Sequence, residues 1–175
     1  QIRTGQWLDA RVTCDDLARG SLIDKDDAKR RKAVLSYQLS LLARDAGDGE
    51  AALGHLRDAN KLAPGFVPAV ADLAGRWVDG GKAKKAAKLI EGAWGTAPHP
   101  DLLEPYWRAC NASDALDRVR ATEKLVESQP RHLESLIALA RASLDARLWG
   151  EARQYLEKAL AAAMVPQARI CRMMA

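Results

Sequence analysis

No stretch of this chain approaches the ~18 to 20 consecutive apolar residues of a membrane-crossing helix. No signal-peptide pattern opens it either. Aromatics are scarce, with one Phe and three Tyr against five Trp in 175 residues, while alanine abounds, so few segments read as strands. The three cysteines, Cys14, Cys110 and Cys171, stand 96 and 61 residues apart without a CxxC pair. An odd number cannot close into a complete set of internal disulfides. Buried, reduced thiols in a reducing compartment are therefore expected. His55, His99 and His132 contain no i,i+4 pair, which excludes a metal site carried on one helix. Gly80-Gly81-Lys82 lacks the earlier glycine and the following hydroxyl of a phosphate-binding loop, and no nucleophile elbow or dinucleotide-binding glycine motif occurs. No catalytic residue and no cofactor are expected.

One-signed charge is also lacking. The 27 basic and 23 acidic residues leave a net charge of +4 and are interspersed. A nucleic-acid footprint is more concentrated than this, so no nucleic-acid partner is expected. The two densest basic clusters, Lys29 to Lys32 and Lys82, Lys84, Lys85 and Lys88, read as solvated helix faces. Contact with anionic lipid or nucleic acid is their alternative.

What the chain does have is a period. Ala52, Leu56, Ala59 and Pro64 recur as Ala86, Ile90, Ala93 and Pro98, each 34 residues on. That is the length of a tetratricopeptide repeat, two antiparallel helices stacked on the next pair. The small–large–small stripe returns at Ala152, Leu156 and Ala159. The expected fold is all-α, a right-handed superhelix of stacked helix pairs forming one domain over residues 1–175. Residues 1–20 read as the second helix of a truncated repeat, stopped by Gly20. Helix pairs follow over 24–64, 66–98, 100–130 and 132–166, with a truncated terminal helix over 167–175. Asp24 is expected to cap the second of these segments, and Asp101 the short helix of the third. The third pair is degenerate, with Arg120 and Lys124 where the stripe's first two members would stand. Trp7 and Trp149 share a local sequence context and are expected to pack across inter-helix turns. The start at Gln1, inside a helix-entry turn, predicts an excised fragment with any anchor upstream.

In such an array the first helices line the concave face. Counting from the repeat frame, the groove positions are Tyr37, Leu41, Arg44 and Asp45, then Ala71, Gly75, Val78 and Asp79, then Ile137, Arg141, Leu144 and Asp145. Asp45, Asp79 and Asp145 occupy one equivalent position. They are either a row of acceptors for a partner's amides and cations or local solvating groups at helix ends. With Tyr37, Arg44 and Arg141 they form the expected partner-binding set. The Lys and Asn that clamp a peptide C-terminus in one branch of these repeats are absent, which disfavours chaperone-tail docking. An alternative function is a porphyrin carrier, with an apolar pocket at the irregular repeat around Trp107 and Cys110.

Several strings resemble the HemY-type family of bacterial tetratricopeptide proteins: Ala63-Pro64-Gly65-Phe66-Val67-Pro68-Ala69, Lys85-Ala86-Ala87-Lys88-Leu89-Ile90-Glu91 with Trp94, and Ala97-Pro98-His99-Pro100-Asp101-Leu102. Glu134-Ser135-Leu136-Ile137-Ala138-Leu139-Ala140 and Leu144-Asp145-Ala146-Arg147 are similar too, and together the strings reach over most of the chain. The resemblance implies an inner-membrane protein linked to haem biosynthesis, in which this chain is the helical-repeat part and spanning helices lie outside it. The stacked-repeat fold itself points to a scaffold for other proteins, expected on the cytoplasmic side, with enzymes of tetrapyrrole metabolism as the partners suggested by the resemblance. The resemblance brings no catalytic residues.

Overall fold

The computed structural model describes residues 4–163 and 168–174. These residues form ten α-helices and one short 3-10 turn, and no strand occurs among them. The first five helices are α1 (Thr4–Arg19), α2 (Lys25–Asp45), α3 (Gly49–Leu62), α4 (Val67–Asp79) and α5 (Ala83–Thr96). After the turn Pro100–Leu102 come α6 (Leu103–Ala109), α7 (Ala115–Val126), α8 (Leu133–Asp145), α9 (Trp149–Ala162) and α10 (Ala168–Met174). Each helix packs on its neighbour in the chain, and the main further contacts join α4 to α6 and α5 to α7. This is the stacked progression of a tetratricopeptide-like array, in which every layer buries its apolar face on the next.

The repeated stripe explains the close approach of the layers. Ala52, Leu56 and Ala59 on α3, Ala86, Ile90 and Ala93 on α5, and Ala152, Leu156 and Ala159 on α9 are all buried. Each Leu or Ile fills the space that the flanking alanines leave open, and burying one such side chain contributes about 1.5–3 kcal/mol. In the degenerate pair the stripe sits elsewhere than the 34-residue count placed it. Arg120 and Lys124 are exposed, and Thr122 and Leu125 are buried instead. The short α6 removes residues, so counting at a fixed period overshoots by two. Thr122 then fills a polar role: its Oγ1 accepts a bond from the indole Nε1 of Trp107 at 2.9 Å.

Five helices end in one motif. In α1, α2, α4, α6 and α8 a left-handed residue follows the C-cap: Ser21 (φ 56), Gly47 (φ 80), Gly81 (φ 72), Asn111 (φ 55) and Arg147 (φ 58). The next amide reaches back to the third-last helical carbonyl, as in Asp48 N to Ala43 O (2.8 Å), Lys82 N to Trp77 O (2.7 Å) and Leu148 N to Ser143 O (2.8 Å). This Schellman closure satisfies carbonyls that the helix end leaves orphaned. α1 ends at Arg19, immediately before Gly20, and its left-handed residue is Ser21. Thus α1 ends as the first helices do, rather than in the proline-marked links that follow α3 and α5.

Helix starts are capped by side chains at several points. Asp24 accepts from the amides of Asp26 (2.8 Å) and Asp27 (3.3 Å), and Asp48 and Asp114 act likewise on α3 and α7. Asp101 does not cap its helix. α6 has Leu102 at its N-cap and no side-chain cap. His99 caps the 3-10 turn before it, its Nδ1 accepting from Asp101 N at 3.2 Å, while His132 caps α8 by accepting from Glu134 N at the same distance. Both rings therefore carry their proton on Nε2 when they cap.

A bridge ties the regular repeats together across the irregular one. Trp94 of α5 is fully buried, and its Nε1 donates to Ser135 Oγ of α8 at 3.1 Å. Beside it, Gln129 Nε2 donates to the carbonyl of Gly95 at 3.0 Å. At the far end, the side chain of Ile170 on α10 is fully buried against the α8–α9 layer. Arg169 binds Glu134 of α8 through a two-pronged ion pair. Among the described residues no helix is long and apolar enough to cross a membrane.

Candidate docking surface

Asp45, Asp79 and Asp145 are the last residues of α2, α4 and α8, each two places before the left-handed residue of the turn. All three are exposed. A helix C-terminus carries partial negative charge, so a carboxylate there is disfavoured by about 0.3–1 kcal/mol. None of the three accepts the local amide bonds that an N-terminal Asp does. Their compensation differs. Asp79 receives the Arg108 guanidinium of α6 at 2.5 Å, Asp45 touches Arg44 Nε at 3.4 Å, and Asp145 has no ion pair among the described residues.

Tyr37 is half-buried, and its hydroxyl donates to Asp72 of α4 at 3.1 Å. Its ring meets Phe66 edge-on, 5.6 Å between centroids. Burial pushes its pKa above the ordinary value, and the neighbouring Asp72 charge and hydrogen bond add to the shift. It is thus a link between repeats that still shows one edge. Arg44 and Arg141 are exposed, whereas Ile137, expected in the groove, is buried at 7% exposure in the α8–α9 layer. The expected residues do not converge on one pocket. They mark successive layers, joined by Tyr37–Asp72 between α2 and α4 and by Asp79–Arg108 between α4 and α6. Asp72 and Arg108 escaped the sequence argument because partners one repeat away carry no local signature.

Charged side chains crowd the irregular repeat, where the carrier alternative expects an apolar pocket. Trp107 is buried, with Arg118 over its ring at 5.2 Å, and Cys110 is exposed. A cavity of about 350 Å³ opens there, where Glu104, Arg108 and Arg118 share the wall with the apolar Val78, Trp107 and Ala112. Of the thiols expected to be buried only Cys14 is, since Cys171 is also exposed. Trp149 does not pack across its turn: it opens α9 and stands 63% exposed. The described residues contain no group of three or more His, Cys, Asp or Glu that could hold a metal ion.

No protein-family model matches the chain, and no curated protein matches it. Among solved structures it is similar to PilF of Pseudomonas aeruginosa, at 14% identity over 97% of this chain and 82% of that one, with a TM-score of 0.43. A double mutant of MamA is similar at 18% identity over 90% and 85%, with a TM-score of 0.40. The C-terminal part of a TPR repeat-containing protein from Cytophaga hutchinsonii gives 14% over 89% and 74%, with a TM-score of 0.41. Likeness at this level says nothing of function, and the fold stands on the chain's own helix pairing.

Proposed function

We propose that this chain is a non-catalytic scaffold for protein–protein interaction, and that its partner is read along the ends of the first helices. The observation that carries this reading is the set Asp45, Asp79 and Asp145. One carboxylate recurs where the helix dipole disfavours it, exposed each time, and Asp145 has no ion pair among the described residues. A group retained against local stability and turned to solvent is suited to recognising amides or cations of another molecule. Tyr37, Arg44 and Arg141 flank the row on the same helices.

The test is capture of partners from membranes by the domain and by a variant carrying Asp45→Ala, Asp79→Ala and Asp145→Ala. We expect partners to be lost while thermal stability holds or rises. An unchanged set of partners would show that another face binds.

For its setting we propose the cytoplasmic side of a bacterial inner membrane, with attachment through a segment outside this chain and enzymes of tetrapyrrole synthesis as partners. The support is the strings similar to HemY-type proteins, chiefly residues 63–69, 97–102 and 134–140. If no such enzyme is captured, this setting falls and the scaffold reading stands.

A further inference from the structure

The first helices are unequal. α4 and α8 have 13 residues each and α2 has 21. Since Asp45, Asp79 and Asp145 align at their C-terminal ends, the surplus lies at the start of α2. It is Lys25 to Lys32, about two turns projecting beyond the repeat. Lys32 Nζ ties the projection to α1 by reaching Asp15 at 2.6 Å, and within the projection Arg31 pairs with Asp27 at 2.9 Å.

Its remaining side face looks onto the turn between α3 and α4, leaving an open cleft of about 450 Å³. Val34, 43% exposed, together with Pro64 and Phe66, makes its apolar wall, and Lys29 and Arg30 stand over it. Asp26 also lines the cleft, but Lys29 engages it at 2.9 Å, and Arg30 has no ion pair among the described residues. The rim adds further positive character. Phe66 is the N-cap of α4 and offers no side-chain cap, and the first turn of that helix has no acidic residue. Pro68 has no N–H, so the amides of Val67 and Ala69 are the ones the opening turn leaves without an intrahelical partner. The cleft thus pairs an apolar seat with a surplus of positive charge. The other pairs lack the projection that makes it.

We infer that this cleft docks an acidic linear segment of a partner protein, one large apolar side chain seating against Val34, Pro64 and Phe66 while flanking carboxylates meet Lys29, Arg30 and the start of α4. A pocket for a small molecule encloses most of its ligand. This cleft is open along its length and suits a chain passing over it with a single anchor. The inference rests on the scaffold reading only in taking the partner to be a protein, and it uses none of the carboxylate row.

The test is fluorescence anisotropy of a fluorescein-labelled peptide carrying adjacent leucine and phenylalanine between glutamates. Expected is saturable binding, weakened roughly tenfold or more by Arg30→Glu, which reverses charge at the site, and likewise by Val34→Asp. Both side chains are exposed, so the variants should fold, as circular dichroism would verify. Peptides with lysine for glutamate, or serine for the two apolar residues, should not bind. Absence of saturable binding, or binding by either variant as tight as by the unaltered chain, overturns the inference. So does binding to vesicles of phosphatidylglycerol and phosphatidylcholine that Arg30→Glu abolishes while the peptide fails, since the surface would then serve lipid. If the peptide fails while partner capture still depends on Asp45, Asp79 and Asp145, the cleft falls and the scaffold stands. If the peptide binds and that capture is indifferent to the three, the carboxylate row falls instead.

Discussion

Tyr106 shows how a single polar group is accommodated between layers. Its ring is buried, and its hydroxyl donates to Glu91 Oε1 at 2.8 Å, while Lys124 Nζ approaches the same carboxylate oxygen at 3.4 Å. Burial first, then the bond to Glu91, pushes the phenol far above its ordinary pKa. Tyr37 and Tyr155 are pushed upward too, again chiefly by burial. These are all the tyrosines of the chain. A phenol whose folded pKa is raised favours the neutral native form. Its contribution is complete below the unfolded value of about 10 and is lost as pH rises from there through the folded values. Spectrophotometric titration of the native protein should show little phenolate at about pH 10, where the urea-unfolded chain is half ionised. Stability should fall with each further step into alkali. Coincident native and unfolded titration curves would contradict this account.

At the scale of helices and turns, the left-handed residues set the predictions. Gly47 and Gly81 meet their positive φ without a Cβ, whereas Arg147 holds φ 58 with a full side chain. Arg147→Gly is expected to raise stability by up to about 1 kcal/mol, and Gly81→Ala to lower it by about 1 kcal/mol. Urea denaturation of the two variants checks both signs. The same positions show what could be read from sequence. Helix pairs were legible because glycines and prolines punctuate them and the alanine–leucine stripe keeps its period. Ser21 was not, since its conformation is imposed by the closing hydrogen bonds and not by residue type. The register of α7 was lost because a fixed period was carried across a shortened α6. The row of three aspartates was visible through the period, but their helix-end surroundings and the Arg108 partner were not. The cleft under Lys29 and Arg30 depends on helix length, which the sequence did give, and on the α3–α4 turn swinging beneath it, which it did not.

Across the whole molecule, stacking makes stability a sum of layer interfaces, so opening need not be all-or-none. The largest buried cluster runs from Leu56 through Trp94 and Tyr106 to Ala142, and a smaller one seats Ile170 at the end. Native-state hydrogen exchange should therefore find α4 and α5 slowest and α1 and α10 fastest. Uniform protection would mean a single cooperative unit. The indoles bear on how such opening can be watched. Trp7, Trp77, Trp94, Trp107 and Trp149 fall in five different helices, from the sealed Trp94 to the water-washed Trp149. The array is thus wired with its own dyes, one in nearly every tier. Quenching and colour of the emitted light can report which end frays first, with no label attached.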